Sequence, residues 1–190
     1  MVDFENDIKN CIDVLQRGGV ILYPTDTVWG LGCDATNEAA VEAIYKIKDR
    51  VKGKSLIVLL AEARDVIQYV ATPHPDIISI VESFETPTTV VYENALCFPE
   101  NLVAADGSIG IRVTKDVFCK ALVKRFRKPI VSTSANISGQ PTPAIFRMVD
   151  EAIKSNVDYV VQYRQDDEAI SSPSRLIRIS DGGNIEVLRP

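Results

Sequence analysis

Histidine is nearly missing from this 190-residue chain: His74 is the only one, and it lies between two prolines in an expected loop. The four cysteines, Cys11, Cys33, Cys97 and Cys119, are scattered without Cys-x-x-Cys spacing. Those two scarcities argue against a metal site of zinc type and against a Cys-His catalytic pair. No apolar run approaches the length needed to span a bilayer, and the opening Met-Val-Asp-Phe-Glu-Asn-Asp is acidic where a signal peptide is basic. A cytoplasmic location with no membrane partner is therefore expected. Internal repeats, low-complexity segments and long linkers are absent too, and 46% hydrophobic residues suffice for one core, so one domain is expected over residues 1–190. The Gly-x-x-x-x-Gly-Lys-Ser/Thr pattern is absent, which excludes a P-loop. With a net charge of −5, the chain does not suit nonspecific coating of nucleic acid, and any basic surface must be local.

Two local basic groups are present. Lys46, Lys48, Arg50, Lys52 and Lys54 surround Asp49, and Lys115, Lys120, Lys124, Arg125, Arg127 and Lys128 occupy a later helical stretch. Either could be a solvated helix face, and the second group could alternatively touch RNA. Helical phase separates the members of the first group. Val41, Ile44 and Tyr45 form an apolar stripe, and Lys48 lies three and four residues beyond Tyr45 and Ile44, on the side that faces the core. Glu42, Lys46 and Asp49 fall on the opposite, polar side.

Apolar periodicity predicts helices over 6–17, from near Thr36, over 62–70, from Pro75 to Phe84, and over 116–126 and 144–155. Strands are predicted at 20–23, 56–60, 88–92, 108–113, 129–133, 158–161, 175–179 and 185–188, the last two joined as a hairpin by Asp181-Gly182-Gly183-Asn184. Gly30 and Gly32 read as tight backbone turns. The alternation predicts an α/β fold: a twisted, mixed sheet flanked by helices, with a basic ligand cleft.

Hydroxyl-rich loops follow two of the strands, where open α/β sheets place ligands. Thr25-Asp26-Thr27 offers two hydroxyls and a carboxylate for a small zwitterion, although a Pro-initiated turn would use the same residues. Ser132-Thr-Ser-Ala-Asn-Ile-Ser-Gly139 is the second such loop, and it too is compatible with a plain turn. Lys48, Arg50, Lys54 and Arg112 supply fixed positive charge for phosphoryl oxygens, and Ser134 and Asn136 supply short polar groups. Together they read as a triphosphate site.

Gly18 to Asp34 (Gly-Gly-Val-Ile-Leu-Tyr-Pro-Thr-Asp-Thr-Val-Trp-Gly-Leu-Gly-Cys-Asp), Lys48-x-Arg50 with Lys54, Gly107-Ser-Ile-Gly-Ile-Arg-Val113, Ser134-x-Asn136, Pro173-Ser174 and the terminal Val-Leu-Arg-Pro occur in one order over nearly the whole chain. In that order they resemble the threonylcarbamoyl-AMP synthase family, with its YrdC-like domain of TsaC type. The resemblance implies conversion of L-threonine, bicarbonate and ATP into threonylcarbamoyl-AMP and pyrophosphate for the t6A modification of tRNA. It further implies that Thr27, Arg112 and Ser174, with Ser132, hold threonine, and that Arg50, Lys54, Ser108, Ser134 and Arg189 hold ATP. Lys48, Arg50, Ser134 and Asn136 form the catalytic signature, and Mg²⁺ is expected to arrive on the phosphates. Further partners implied are tRNA or double-stranded RNA and the downstream threonylcarbamoyl transferase.

Three departures stand out. Thr86-Pro87-Thr88-Thr89 replaces a Pro-Gly-Pro turn, Val51 replaces a proline, and Leu59 stands where many members place a threonine-facing histidine. Two other readings are a non-catalytic YrdC-like protein that binds nucleotide or double-stranded RNA, and a related carbamoyl-adenylate reaction within a maturation enzyme. The first would be expected to lose the Lys-x-Arg and Ser-x-Asn residues, which are all present here. The chain's size and its lack of accessory zinc-finger cysteines oppose the second.

Overall fold

Ile8, Cys11 and Leu15 recur at helical spacing and are buried along one face of the first helix, α1 (Glu5–Gln16). The computed structural model describes residues 4–51, 56–180 and 183–190. A buried carboxylate pins α1 to the far end of the sequence. Asp7 Oδ1 accepts hydrogen bonds from the Tyr159 hydroxyl at 2.6 Å and the Gln162 amide at 3.0 Å, and Oδ2 accepts from the Tyr163 amide at 2.9 Å.

Gly18 and Gly19 end α1 ahead of the apolar run that forms β1 (Ile21–Tyr23). The first difference from the sequence expectation follows. Gly30 to Gly32 is not a turn but a strand, β2, paired antiparallel with β1. The glycines are needed for space: a Cβ on Gly32 would lie 2.7 Å from the Tyr23 ring and 3.0 Å from the Val131 carbonyl oxygen. Tyr23 therefore lies across a strand that has no side chains in its way.

Helix α2 (Glu38–Ile47) starts at an Asn37 cap, whose side chain accepts from the Ala40 amide. Then come β3 (Ile57–Leu60), α3 (Ile77–Ser83), β4 (Thr88–Tyr92), β5 (Ile109–Val113), α4 (Val117–Phe126) and β6 (Ile130–Ser134). Helix α5 (Glu151–Lys154), β7 (Tyr159–Val160), β8 (Arg175–Ile179) and β9 (Ile185–Arg189) complete the order. Two predicted helices are shorter than expected. Residues 63–68 form a 3₁₀ helix. The expected helix over 144–155 splits into a 3₁₀ turn, Phe146–Met148, and α5, because Val149 is extended and Asp150 caps a new start. The expected hairpin pairs β8 with β9 antiparallel, and Asp181 and Gly182 of its turn lie outside the described residues.

The strands form one open, mixed sheet in the order β7-β1-β2-β6-β3-β5-β4-β8-β9. β1–β7, β3–β5 and β4–β8 are parallel, and the other neighbours are antiparallel. Helices α1 and α4 pack on one another and on the sheet, and the Phe4, Phe118 and Tyr163 rings cluster there in edge-on and tilted contacts. The strand alternation places Gly30, Ser132, Ser134, Ile57, Gly110 and Arg112 on one common face. No helix among the described residues is long and apolar enough to cross a membrane.

Candidate active site

A cleft of about 190 Å³ opens on that face, lined among others by Thr27, Arg50, Arg112, Ser132, Ser134, Thr142, Ser174 and Arg189. Seven of the residues singled out from the sequence thus meet, from segments spread over Thr27 to Arg189. The volume is below the roughly 300–1,000 Å³ of a pocket that encloses a drug-sized ligand. It suits a small polar molecule, or one end of a larger one.

Arg112 is the centre of the cleft and is only 2% exposed. Its Nη1 donates to Thr27 Oγ1 at 2.9 Å, and its Nη2 lies 3.3 Å from Asp26 Oδ1. The Thr25-Asp26-Thr27 segment is thereby shown to be an arginine seat as well as a turn. Thr25 Oγ1 donates to the Val28 carbonyl at 2.8 Å and lies 2.9 Å from Thr27 Oγ1, so the hydrogen between the two threonines comes from Thr27. These contacts orient Arg112 but do not exhaust it. Its Nε is buried and has no acceptor among the described residues. Leu59 pairs in register with Arg112, is fully buried and stays outside the cleft lining.

Ser174 lies across the cleft just before β8. Its hydroxyl is 2.8 Å from Thr89 Oγ1, and its carbonyl accepts Nε and Nη2 of Arg189 at 3.2 and 2.8 Å. Arg189 thus braces the rim that it also lines. Arg50 reaches the cleft from the turn after α2, where Asp49 adopts φ 47° and the Arg50 amide bonds the Tyr45 carbonyl at 3.0 Å.

Lys48 and Asn136 do not line the cleft; they form the support beneath it. Lys48 is 1% exposed, and its Nζ donates to the Ser134 carbonyl, to the Asn136 carbonyl at 2.8 Å and to Asn136 Oδ1 at 3.5 Å. In return, the Ser138 amide donates to the Lys48 carbonyl at 2.7 Å. Ser134 Oγ donates to Asn136 Oδ1 at 2.5 Å, and Asn136 Nδ2 donates to the carbonyls of Ile137 and Gln140 at 3.1 and 2.7 Å. The Lys-x-Arg and Ser-x-Asn signatures are therefore one assembly, in which the lysine fixes the serine loop from below. Burial, reinforced by the neighbouring Arg50 charge, pushes the Lys48 ammonium down from 10.5 to about 7.

Ser108 is buried just before β5, four residues ahead of Arg112 and outside the cleft lining, with its amide bonded to Asp106 Oδ1 at 3.0 Å. Lys54 lies outside the described residues. Reading the sequence missed Thr142, which lines the cleft, and Thr89, which is buried beneath it; isolated threonines carry no local signal. The later basic group is largely paired. Lys120 and Lys124 contact Glu62, Arg125 contacts Glu5, Lys128 contacts Asp34, and Lys115 donates to the Glu82 and Phe84 carbonyls.

The Sua5/YciO/YrdC family model, described as telomere recombination, matches residues 13–190. A relative from Pseudoalteromonas translucida named threonylcarbamoyl-AMP synthase is 34% identical over 97% of this chain and 98% of its own length. The structure of P. abyssi Sua5 complexed with L-threonine superposes with a TM-score of 0.85 at 23% identity, over 98% of this chain. The chain spans about half of that longer protein, 54%. Full-length HypF in a phosphate- and nucleotide-bound form superposes with a TM-score of 0.82 at 20% identity, over 96% of this chain and 28% of HypF. Sequence and fold agree: the chain belongs to the Sua5/YciO/YrdC family.

Proposed function

We infer that this chain is a threonylcarbamoyl-AMP synthase, which makes threonylcarbamoyl-AMP and pyrophosphate from L-threonine, bicarbonate and ATP. The observation that carries the reading is the almost fully buried Arg112, whose side chain lines a small cleft ringed by hydroxyls. Thr27 and Asp26 engage its two terminal nitrogens, and a guanidinium with five N–H donors can also hold a carboxylate through charge-assisted bonds. Relatives that carry the synthase name match over almost their whole length, and P. abyssi Sua5 binds L-threonine on the same fold.

In this reading Arg112, Thr27, Ser132 and Ser174 hold threonine. Arg50, Ser134 and Arg189 hold the nucleotide, and the same role is proposed for Lys54 and for Ser108. The threonine amine takes up bicarbonate to form a carbamate with loss of water. A carbamate oxygen then attacks the α-phosphorus in line, and the bond to pyrophosphate breaks. No side-chain nucleophile is required, so the protein contributes position and charge. Mg²⁺ bound to the triphosphate would neutralise charge on its oxygens, while the cleft itself offers serine hydroxyls and arginines. The product's use in tRNA t6A formation, contact with tRNA or a partner transferase, and a cytoplasmic location belong to the same reading.

The test is incubation with L-threonine, bicarbonate, Mg²⁺ and ATP, following pyrophosphate and the mass of the adenylate. Release that depends on both threonine and bicarbonate is expected. ATP binding without product would instead favour the non-catalytic binding protein.

A further inference from the structure

One buried hydroxyl beneath the cleft has no part in the scheme above. Thr89 in β4 is 0% exposed. The antiparallel register of Val90 with Ile111 and Val91 with Gly110 carries Thr89 opposite Arg112. Its Cγ2 would lie 3.2 Å from a Cβ on Gly110, which places its side chain on the face that carries Arg112. On its other side Thr89 pairs with Leu176, which brings Ser174 within 2.8 Å, hydroxyl to hydroxyl. Ser174 is fixed by more than this bond. Arg189 holds its carbonyl, and the following amide, that of Arg175, donates to the Pro87 carbonyl at 3.0 Å.

Two hydroxyls share one hydrogen, and burial decides whose it is. Ser174 Oγ is the one partner of Thr89 Oγ1 among the described residues. If Ser174 donated, the Thr89 hydrogen would be buried without an acceptor, which costs about 1–3 kcal/mol. Thr89 therefore donates, and Ser174 keeps its own hydrogen on the side where it lines the cleft. We propose that Thr89 is a positioning residue that makes Ser174 a fixed hydrogen-bond donor to the substrate carboxylate, beside the guanidinium of Arg112. The assignment rests on the synthase reading and adds to it a residue that acts only through Ser174.

A double-mutant cycle with Thr89→Val and Ser174→Ala tests it, read by calorimetric L-threonine affinity and by steady-state kinetics. Thr89→Val keeps shape and removes the hydroxyl. It is expected to weaken threonine binding about 3- to 10-fold, the usual range for one hydrogen bond. KM for threonine should rise with kcat nearly unchanged, and Thr89→Ser should restore both. In the Ser174→Ala background the same substitution should add less than about twofold. Equal weakening in both backgrounds, or unchanged affinity, overturns the assignment. If Thr89→Val does not fold, Ser174→Ala still reads the donor direction: it should narrow the preference for L-threonine over L-threoninol, which lacks the carboxylate, and an unchanged preference overturns it. A wild-type protein that binds no threonine would overturn the synthase reading and this one together. Wild-type binding that is insensitive to Thr89 overturns only this one.

Discussion

Lys48→Met separates the two things that Lys48 does, carrying a charge and holding a loop. Methionine fills a similar volume and supplies no donor. The carbonyls of Ser134 and Asn136 would each lose a hydrogen bond, at about 1–3 kcal/mol per buried group. Against this, lowering the ammonium from 10.5 to about 7 corresponds to on the order of 5 kcal/mol, at about 1.4 kcal/mol per pH unit, and the variant escapes that penalty. The two effects oppose one another at similar size. Near neutral pH the variant should therefore lie within about 2 kcal/mol of wild type, while turnover should fall about tenfold or more as the Ser134 loop loses its anchor.

The sign of the pH dependence follows from linkage. Below about pH 7 Lys48 is protonated in both states, and the full burial penalty is present. Between about 7 and 10.5 the unfolded chain holds a proton that the folded protein has shed, so wild-type stability rises with pH through that window. The methionine variant lacks this contribution, and the shared tyrosines and cysteines cancel in the difference. Urea unfolding of both proteins at about pH 6.5 and about pH 9.5 should show wild type gaining on the variant by on the order of 3 kcal/mol. Parallel stability profiles would refute the reasoning, because they would mean that the three oxygen acceptors keep the ammonium charged despite burial.

Arg112→Gln removes the guanidinium and strands Asp26; threonine affinity should drop by at least about a hundredfold, with a stability loss of about 3–5 kcal/mol that Asp26→Asn partly reverses, measured by calorimetry and urea titration. Arg50→Ala should raise KM for ATP about tenfold or more with a smaller effect on threonine, and equal effects on both substrates would place Arg50 elsewhere. Gly32→Ala drives a methyl to 2.7 Å from the Tyr23 ring and should destabilise by about 1–3 kcal/mol, seen as a lower urea midpoint at unchanged m-value. Asp7→Asn breaks the three-bond clasp between α1 and the segment after β7. It should cost about 1–3 kcal/mol while leaving threonine affinity intact.

Periodicity alone determined a good deal of this protein. The stripe of Val41, Ile44 and Tyr45 already required Lys48 to point inward, and the apolar runs separated by turn residues gave most strands of the mixed sheet, because burial writes its period directly into the chain. The order of short motifs also singled out seven residues that gather in the cleft, from Thr27 to Arg189, while Lys48, Asn136 and Ser108 proved to lie outside its lining. What Lys48 meets was decided only by the tertiary structure: its acceptors belong to Ser134 and Asn136, 86 and 88 residues away, so a lysine expected to face ligand became the prop of a loop. Gly30 and Gly32 look the same in a turn or a strand until the Tyr23 ring is laid across them. Thr89 and Ser174 are 85 residues apart, and nothing local in either marks the bond between them. Exposure is a property of a residue's own element and leaves a period in the sequence; a partner is set by the register of strands brought together from distant segments, and register has no local signature.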